Sequence, residues 1–477
     1  MSAPTLNRDI DAGAIGELRQ KLRGDLITPS DAAYDQARQA WNGMVDKHPA
    51  LIVQCADAPD VATVIEFGRS QGLELGVKCG GHSVLGMSIP DGGLMIDLSR
   101  MNEVRIEPEA RLAHVGGGAL LGDLDRASME HGLATTAGNV SHTGVGGLTL
   151  GGGMGWLARQ FGMACDNVVE YEIVTASGET LAASADENAD LFWGLRGGGG
   201  NFGVVTKFTF RLHPIDGQAL VVDFFYPIER ARDVLRFFRE FAAEAPAQAT
   251  PTAWIGTTRE WPFLPPELYF QDLVNAGFVW VGDPEEGRAL LPPFRAVAEP
   301  VSETVDEMTY VDLQSSNDEP MGNQRGRRYM KGHYLRELSD EVIEAFIGRG
   351  GAGDLLPNAS LQGYGGAINR VGIDASAFSH RHAKFEFLTF GSWDDPAEDG
   401  ARMAASRRFG AAMEPFSSGV YVNVLSDEGE AGVRHAYQAE SLARLTALKD
   451  RYDPDNVFHL NHNITPSHGN RLRADQL

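Results

Sequence analysis

His82 is the side chain with the clearest chemistry in the N-terminal half of the chain. It lies in the tetrad Gly80, Gly81, His82 and Ser83, directly after a short apolar stretch. Glycine allows the backbone to approach a ligand closely, and a neutral imidazole is a good nucleophile and proton acceptor near pH 7. The tetrad therefore predicts a ligand-binding loop whose histidine can react.

Two pairs of polar residues in the C-terminal half have a spacing that can place them side by side. Lys384 and Glu386 are two residues apart in an alternating segment, and Tyr421 and Asn423 have the same spacing. Successive side chains of a strand point to opposite faces, so residues two apart share a face. Each pair is therefore predicted to lie on one face of a strand.

Two further glycine clusters follow the tetrad, at residues 144–155 and 196–203, in a chain that contains 56 glycines. Apolar residues such as Leu148, Trp156 and Phe202 are interleaved with them, whereas flexible linkers combine glycine with serine and polar residues. The clusters are therefore predicted to be packed backbone. Glycine-rich turns and helix ends suit a pyrophosphate, so a large, flat, phosphate-bearing cofactor is expected.

Residues 198–203 also match the text pattern G-x-G-x-x-G. A dinucleotide fingerprint of this kind needs a strand before it and a helix after it. Here a helix is predicted before the pattern, at residues 188–194, and a strand after it, at residues 204–212. The order is reversed, and a Rossmann-type nicotinamide site is excluded.

The elements that must position these residues fall into two regions. Residues 49–78 predict strand, helix and strand, because apolar residues recur with helical spacing between two apolar runs. Residues 168–184 predict a hairpin, and His213 with Pro214 marks a boundary after which the glycine clusters stop. Beyond it the pattern predicts an α+β region with an antiparallel sheet. The predicted later elements are strands at 220–226, 268–273, 277–281, 384–390 and 420–425, and one long helix at 434–449.

Composition limits the class of protein. A chain of 477 residues predicts two or three domains, and its formal net charge of −24 argues against nucleic acid or an anionic membrane surface as partner. Cys55, Cys79 and Cys165 give neither a disulfide framework nor a zinc pattern, and no metal is expected. No signal-like or membrane-spanning stretch is evident, so a cytoplasmic location is expected.

Several ordered motifs together resemble the FAD-linked oxidases of the vanillyl-alcohol-oxidase/PCMH superfamily. They are the tetrad at 80–83, the cluster at 144–155, the segment 161–167 and the segment 191–205. Residues 452–464 resemble the C-terminal segment of the berberine-bridge-enzyme-like branch. The resemblance covers residues 25–214 and 375–466, and the middle region matches only in general character.

The resemblance implies an α+β fold in which a PCMH-type FAD-binding domain is built from two subdomains with the cofactor between them. A substrate domain with a large antiparallel sheet covered by helices lies over the isoalloxazine ring. The expected boundaries are residues 1–214 for the FAD domain, 215–415 for the substrate domain, and 416–477 for a segment that returns to the FAD domain.

The resemblance also implies one covalent bond between the protein and FAD. In this family the histidine of the Gly-Gly-His motif is bonded to the flavin 8α-methyl group, and His82 matches that position. Many members carry a second bond from a cysteine, but Val140 occupies the cysteine position here. His82 is therefore expected to be the single covalent attachment.

The other expected cofactor contacts are mainly backbone amides and tail residues. His142 and Thr143 are placed near the flavin ring by the resemblance, where they are expected to shape oxygen access. The other expected contacts are Gly80, Gly81, Ser83, Val140, Gly144, Gly146, Gly147, Gly152, Gly153, Gly200, Val205, Asn461 and Asn463.

The resemblance places the two polar pairs over the flavin. Glu386 is a candidate general base if burial raises its pKa, and Tyr421 is one if Lys384 lowers its pKa. We expect Tyr421 and Glu386 to form the catalytic pair, with Lys384 as electrostatic helper.

The expected activity is hydride transfer to flavin N5 from a small hydroxylated or amine substrate, such as a sugar, an oligosaccharide, an alkaloid or a secondary-metabolite alcohol. Molecular oxygen then reoxidises the flavin and yields hydrogen peroxide. Two alternatives remain open: a dehydrogenase with another electron acceptor, and a flavin-bearing protein that binds or sequesters a drug. The protein is expected to be a monomer or a homodimer, and the sequence does not name its substrate.

Overall fold

Strands and helices alternate in the N-terminal region and long strands dominate the middle. The computed structural model describes residues 10–318, 326–351 and 355–468. Its strands are β1 Asp25–Ile27, β2 Leu51–Gln54, β3 Leu75–Lys78, β4 Leu94–Asp97, β5 Val104–Glu107, β6 Leu112–Gly116, β7 Leu133–Ala134, β8 Val168–Thr175, β9 Thr180–Ser184, β10 Gly203–Arg211, β11 His213–Pro214, β12 Gln218–Pro227, β13 Ala249–Thr257, β14 Asp272–Val281, β15 Ser302–Thr309, β16 Arg327–Leu335, β17 Ala359–Gly363, β18 Phe385–Trp393 and β19 Ser417–Gly419.

The helices connect and cover these strands. The α-helices are Ala12–Lys21, Tyr34–Ala37, Ala58–Gln71, Leu121–Met129, Val145–Leu150, Ala158–Phe161, Ala189–Leu195, Ala231–Glu244, Pro284–Arg288, Pro292–Val297, Tyr310–Ser315, Asp340–Gly348, Ala367–Arg370, Asp399–Met413, Gly429–Ala436 and Ala439–Tyr452. In the part of the chain that is described, no helix combines the length and apolar character that a membrane span requires.

The predicted strand, helix and strand at residues 49–78 are confirmed. They are β2, the helix Ala58–Gln71 and β3, in a sheet with the order β1-β2-β4-β3. Asp57 caps the helix by accepting a hydrogen bond from the Asp60 N–H, and Gly72 ends it at φ +62°. Strands β2, β4 and β3 are parallel, which places their carboxyl ends, and hence the tetrad at 80–83, at one edge.

A second, antiparallel sheet holds the third glycine cluster. Its order is β5-β6-β10-β8-β9, and the predicted hairpin is β8 with β9. Strand β10 lies in the centre, where Phe208 and Phe210 are buried. The cluster at 196–203 is therefore fixed directly before a central strand.

The large antiparallel sheet confirms the expected α+β architecture. Its order is β15-β12-β14-β13-β17-β18-β16-β19. The helices Ala231–Glu244, Asp340–Gly348 and Asp399–Met413 cover one face, where Phe238, Phe346 and Phe409 pack on Phe385 and Phe387 of β18. Because side chains alternate, Glu386 and Leu388 point to the other face.

The prediction of two separate strands in the middle region is wrong, because the structure has a single strand there. Residues 268–273 and 277–281 were expected to be separate, but Asp272–Val281 is one strand, β14. It is hydrogen-bonded to β12 on one side and β13 on the other. A Cβ at Gly277 would lie 1.9 Å from the Val222 carbonyl oxygen, so only glycine allows β14 to pair with β12 at this position. The low strand propensity of glycine is the reason why a break between two strands was predicted here.

The tail also departs from the prediction. Val422–Val424 is a 3₁₀ turn after β19 rather than part of a strand at 420–425. The expected helix at 434–449 is two helices, Gly429–Ala436 and Ala439–Tyr452. They are separated at Tyr437, which is extended and buried, with its hydroxyl donating to the Gly197 carbonyl at 3.1 Å.

A buried ammonium group joins the tail to the third glycine cluster. Lys449 Nζ donates to the carbonyls of Asn201 and Phe458, both at 2.9 Å, and to Asp453 Oδ2 at 2.7 Å. Both side chains of the Lys449–Asp453 pair are fully buried. Asp453 in turn accepts hydrogen bonds from the backbone of Val457 and Phe458. All three protons of the ammonium group are therefore donated in hydrogen bonds.

A second buried ion pair joins the glycine-rich region to the segment that precedes β18. The Arg381 guanidinium donates to both carboxylate oxygens of Asp166, at 2.7 and 2.6 Å, and to Ser376 Oγ at 2.7 Å. Arg381 is 1% exposed. A bidentate pair of this kind fixes orientation as well as distance.

The Lys449 interaction predicts a large effect on stability. Lys449→Ala leaves the Asp453 carboxylate and two carbonyls buried without their donor, which should cost about 3–5 kcal/mol. The exposed pair of Arg434 and Glu430 has the same i, i+4 spacing, and Glu430→Ala should change stability by less than about 0.5 kcal/mol. Urea unfolding followed by tryptophan fluorescence measures both, and equal midpoints for the two variants would contradict the assignment.

Candidate active site

A cavity of about 440 Å³ lies where the three glycine-containing segments, the tail and the large sheet meet. His82 forms part of its wall, and Met330 of β16 and Leu388 of β18 are the parts of the wall that the large sheet contributes. The expected contacts that line it are Gly80, Gly81, His82, Ser83, Thr143, Gly144, Gly146, Gly147, Gly200, Val205 and Asn461.

The first two glycine segments touch main chain to main chain. A Cβ at Gly80 would lie 2.3 Å from the Gly144 nitrogen, and a Cβ at Gly144 would lie 2.5 Å from Cys79 Sγ. No other residue type fits either position without moving backbone. The cavity wall there is therefore main chain, which provides N–H donors for an anionic, extended ligand such as the FAD pyrophosphate.

The tail supplies polar groups that also fit a cofactor. Asn461 and His462 line the main cavity, and they line an adjoining cavity of about 310 Å³ together with Asn463. Asn461 Oδ1 and Asn463 Oδ1 are buried and have no hydrogen-bond partner among the described residues. These acceptors suit the hydroxyl and amino groups of FAD.

Four expected cofactor contacts, Val140, His142, Gly152 and Gly153, line neither of the two cavities. The Val140 carbonyl accepts a hydrogen bond from the Thr143 N–H at 3.1 Å, which closes a turn. His142 lies in this turn, and its Nδ1 is 2.7 Å from His82 Nε2. Gly152 and Gly153 are buried, where added Cβ atoms would meet Phe378 and Ala164. The structure assigns these two glycines to close packing between segments rather than to the cavity.

The His82 ring is held on three sides. It stacks on Trp41 with ring centroids 4.8 Å apart and an interplanar angle of 13°. His82 Nε2 lies 2.7 Å from His142 Nδ1, and Nδ1 lies 3.4 Å from Thr143 Oγ1. Burial, with smaller effects of His142 and Arg328, lowers the pKa of His82 to about 3. The imidazole is therefore neutral near pH 7, as a nucleophile requires.

Glu386 shares a face of the large sheet with Leu388, which lines the cavity, but Glu386 is not itself among the lining residues. It is 8% exposed, and burial raises its pKa to about 7 although the Tyr364 hydroxyl donates to Oε2 at 2.9 Å. The Tyr334 hydroxyl lies 3.4 Å from that of Tyr364. This carboxyl group can therefore exchange a proton near neutral pH, and the tyrosines fix its orientation.

Tyr421 is in a different electrostatic state from the one expected. Burial raises its pKa, and the nearby carboxylate of Glu386 adds to this effect. Its hydroxyl oxygen accepts hydrogen bonds from the Gly153 N–H and from Asn423 Nδ2, both at 2.8 Å. The phenol therefore stays protonated near pH 7, which argues against Tyr421 as a base and for a role in holding the turn at 422–424.

The expected role of Lys384 is wrong. Strand β18 begins at Phe385, so Lys384 precedes it, and its side chain is exposed while Glu386 and Tyr421 are buried. Lys384 is not among the groups that act on Tyr421. Likewise, Tyr421 and Asn423 contact each other through a 3₁₀ turn rather than along one strand face.

Sequence reasoning missed the residues that support the reactive groups. Tyr364 and Tyr334 lie near Glu386 because β17 and β16 flank β18, and Gln362 and Tyr334 pair with Glu386 in register. Strand pairing between distant segments has no local signal. Spacing and periodicity therefore do not indicate these contacts.

Arg328 and Trp41 form the support behind His82. The buried Arg328 guanidinium lies 4.4 Å from the centre of the Trp41 ring and donates to the Trp41 carbonyl at 2.7 Å. Arg328 comes from β16, whereas Trp41 follows the helix Tyr34–Ala37. A residue of the large sheet thus fixes the ring on which the reactive histidine stacks.

The chain matches two protein families. Residues 49–184 match the family described as FAD binding domain, and residues 420–465 match the family described as berberine and berberine like. These ranges contain His82, the second glycine cluster, Tyr421 and the tail asparagines. The expected resemblance to FAD-linked oxidases is confirmed.

Relatives extend the match over nearly the whole chain. The FAD-linked oxidoreductase YgaK of Bacillus subtilis is 30% identical over 463 residues, which cover 94% of this chain and 98% of the relative. The (R)-6-hydroxynicotine oxidase of Paenarthrobacter nicotinovorans is 28% identical over 464 residues, 93% of this chain and 97% of the relative. A crystal structure of 6-hydroxy-D-nicotine oxidase from Arthrobacter nicotinovorans superposes with a TM-score of 0.82 and 26% identity, covering 94% of this chain and 98% of that one. The chain therefore belongs to the FAD-linked oxidoreductases, in their berberine-bridge-enzyme-like branch, and is an enzyme of that class.

Proposed function

We propose that the protein is an oxidase that removes a hydride from a CH–OH or CH–NH group of a small substrate, with molecular oxygen as acceptor and hydrogen peroxide as product. The observation that carries the proposal is Glu386, a buried carboxyl group with a pKa raised to about 7, which lies two residues along β18 from Leu388, a residue of the cavity wall that His82 also lines. A group that titrates near neutral pH is suited to take a proton from a substrate hydroxyl or amine.

The glycine segments and the tail hold the cofactor in this proposal. Backbone N–H groups of the 80–83 and 144–147 segments contact its phosphates, and Asn461 and Asn463 contact its polar edges. FAD supplies a hydride acceptor at its N5 atom. The domains are those expected from the sequence: residues 1–214 and 416–477 for FAD, and residues 215–415 for the substrate.

Glu386 takes the substrate proton in this proposal. The Tyr364 hydroxyl donates a hydrogen bond to Glu386 Oε2 at 2.9 Å and fixes that oxygen. The other carboxylate oxygen, Oε1, is the one that contacts the substrate in this proposal. The protein surroundings exclude bulk water, because Tyr334 and Tyr364 are both buried. An unhydrated carboxylate at this position is a stronger base than one in water.

His82 is the single covalent attachment in this proposal. Its imidazole is neutral and held by Trp41 and His142, and it lines the cavity. Cys165, the cysteine that follows Val140 in sequence, is fully buried and burial raises its pKa, so its thiol is protonated. These features support one bond to the flavin and argue against a second.

The substrate class in this proposal is a small, partly apolar molecule with an oxidisable hydroxyl or amine. Met330, Leu388 and Val424 form an apolar part of the cavity wall, and Leu388 lies two residues from Glu386 on the same face of β18. One relative is, by its name, an oxidase of 6-hydroxynicotine, a small molecule that carries both an amine and an aromatic ring. The apolar wall favours substrates of that kind over highly hydroxylated sugars.

Removal of the base should slow substrate oxidation. In the wild type, the rate of flavin reduction measured by stopped flow should rise as the pH increases through about 7, because Glu386 must be deprotonated to accept the substrate proton. Glu386→Gln should be slower by at least about 100-fold and lose this pH dependence. Glu337→Gln, at an exposed position, is the control, and a wild-type rate in Glu386→Gln would remove the assignment.

The covalent attachment is tested on denatured protein. Acid-precipitated wild type should keep one flavin, and peptide mass spectrometry should locate it on His82. His82→Ala should release its flavin on precipitation but still bind it in the native state, since the glycine segments remain. Release of all flavin by the wild type would refute the link.

The acceptor and the substrate class are tested together. Purified enzyme is screened for flavin bleaching without oxygen against aromatic amines, aromatic alcohols and sugars, and air is then admitted. We expect bleaching by an amine or aromatic alcohol and prompt peroxide release. Bleaching without peroxide would indicate a dehydrogenase, and tight ligand binding without bleaching would indicate a binding protein.

A further inference from the structure

The ring of His142 has an unusual set of neighbours. Its Nδ1 lies 2.7 Å from His82 Nε2, and the two ring centroids are 4.8 Å apart. Its other nitrogen, Nε2, is buried and has no hydrogen-bond partner among the described residues. The one polar interaction of this ring in the described structure is therefore with His82.

Main-chain packing fixes this contact. His142 belongs to the turn closed by the hydrogen bond from the Thr143 N–H to the Val140 carbonyl at 3.1 Å. Two residues later, Gly144 packs on Gly80, where an added Cβ would clash with backbone. Trp41 holds the opposite side of the His82 ring. The two imidazoles are thereby held at hydrogen-bond distance by rigid surroundings.

The contact decides which nitrogen of His82 can react. An N···N separation of 2.7 Å between two imidazoles requires one proton between them. If His82 Nε2 carries it, Nδ1 keeps a free lone pair, and the Thr143 hydroxyl at 3.4 Å is its only close polar neighbour in the described structure. Because Nε2 is engaged by His142, Nδ1 is the atom left to attack an electrophile.

We propose that His142 is a positioning residue for the covalent attachment of the flavin: it accepts the His82 Nε2 proton, keeps Nδ1 nucleophilic, and receives that proton as the bond forms. This inference rests on the proposed link at His82. Without His142, the Nε2 proton of His82 would have no acceptor within hydrogen-bond distance among the described residues.

The step balances as follows. A bond forms between His82 Nδ1 and the flavin 8α carbon, and one C–H bond of that methyl group breaks, with its proton passing to solvent. The His82 Nε2–H bond also breaks, and its proton passes to His142. Two electrons enter the flavin ring, which is reduced. Molecular oxygen then takes two electrons and two protons and leaves as hydrogen peroxide, so no further oxidant is needed.

The test follows covalent attachment itself. Wild type, His142→Ala and His142→Gln are produced without flavin in a riboflavin-requiring host and mixed with FAD in air. Native flavin absorbance reports binding, and fluorescence of the denatured protein band reports attachment over time. His131→Ala, at an exposed histidine, is the matched control.

We expect all four proteins to bind FAD, with attachment slower by at least about 10-fold in both His142 variants and unchanged in His131→Ala. Added imidazole should restore attachment in His142→Ala, where it can occupy the space of the lost ring, and not in His142→Gln. Rescue separates proton transfer from a merely structural effect, because a distorted loop would not respond to a free base.

Two results would overturn the proposal in distinguishable ways. If the wild type links flavin and His142→Ala links it at the same rate, the role of His142 is refuted while the link at His82 stands. If the wild type releases all flavin on denaturation, the link itself is refuted, and the role of His142 is refuted with it.

Discussion

The contact between Gly80 and Gly144 is the constraint on which the site depends. Two main chains approach so closely that a Cβ on either residue would clash with the other segment. The loop that carries His82 and the loop that carries His142 therefore have one relative position. The cavity wall, the distance between the two imidazoles and the exposure of backbone N–H groups to the cofactor all follow from this single close approach.

The candidate base comes from the other side of the cavity. Glu386 lies on the large sheet, and the position of that sheet is set by contacts with the glycine-rich region rather than by its own core. Arg381 pairs with Asp166 just before β18, and Arg328 of β16 lies over Trp41. Both guanidinium groups are buried, so neither contact can shift freely in water. The acid–base group and the reactive histidine are therefore held to one another through two arginines.

The sequence predicted the cofactor side of the site well because its signals are local. Close packing requires glycine at particular positions, and a glycine cluster is visible without knowledge of its partners. The strand, helix and strand at 49–78 were predicted for the same reason. The interleaved apolar residues also showed that the clusters are packed.

The substrate side was predicted less well because its geometry arises from pairing between distant segments. Two-residue spacing placed Lys384 with Glu386, but β18 begins between them and leaves the lysine in solvent. The same spacing at Tyr421 and Asn423 belongs to a turn held by Gly153. Tyr364 contacts Glu386 only because β17 pairs with β18. Periodicity cannot report any of these three relations.

The Lys449 interaction has a consequence for which part of the chain closes the cavity. Lys449 closes onto Asn201, 248 residues earlier in the chain, and Asn461 and His462 complete the cavity wall. The three glycine segments without these later residues would form an open trough rather than a closed pocket. The trough is closed only by residues 449–462, so a pocket that encloses the cofactor requires the chain as far as these residues.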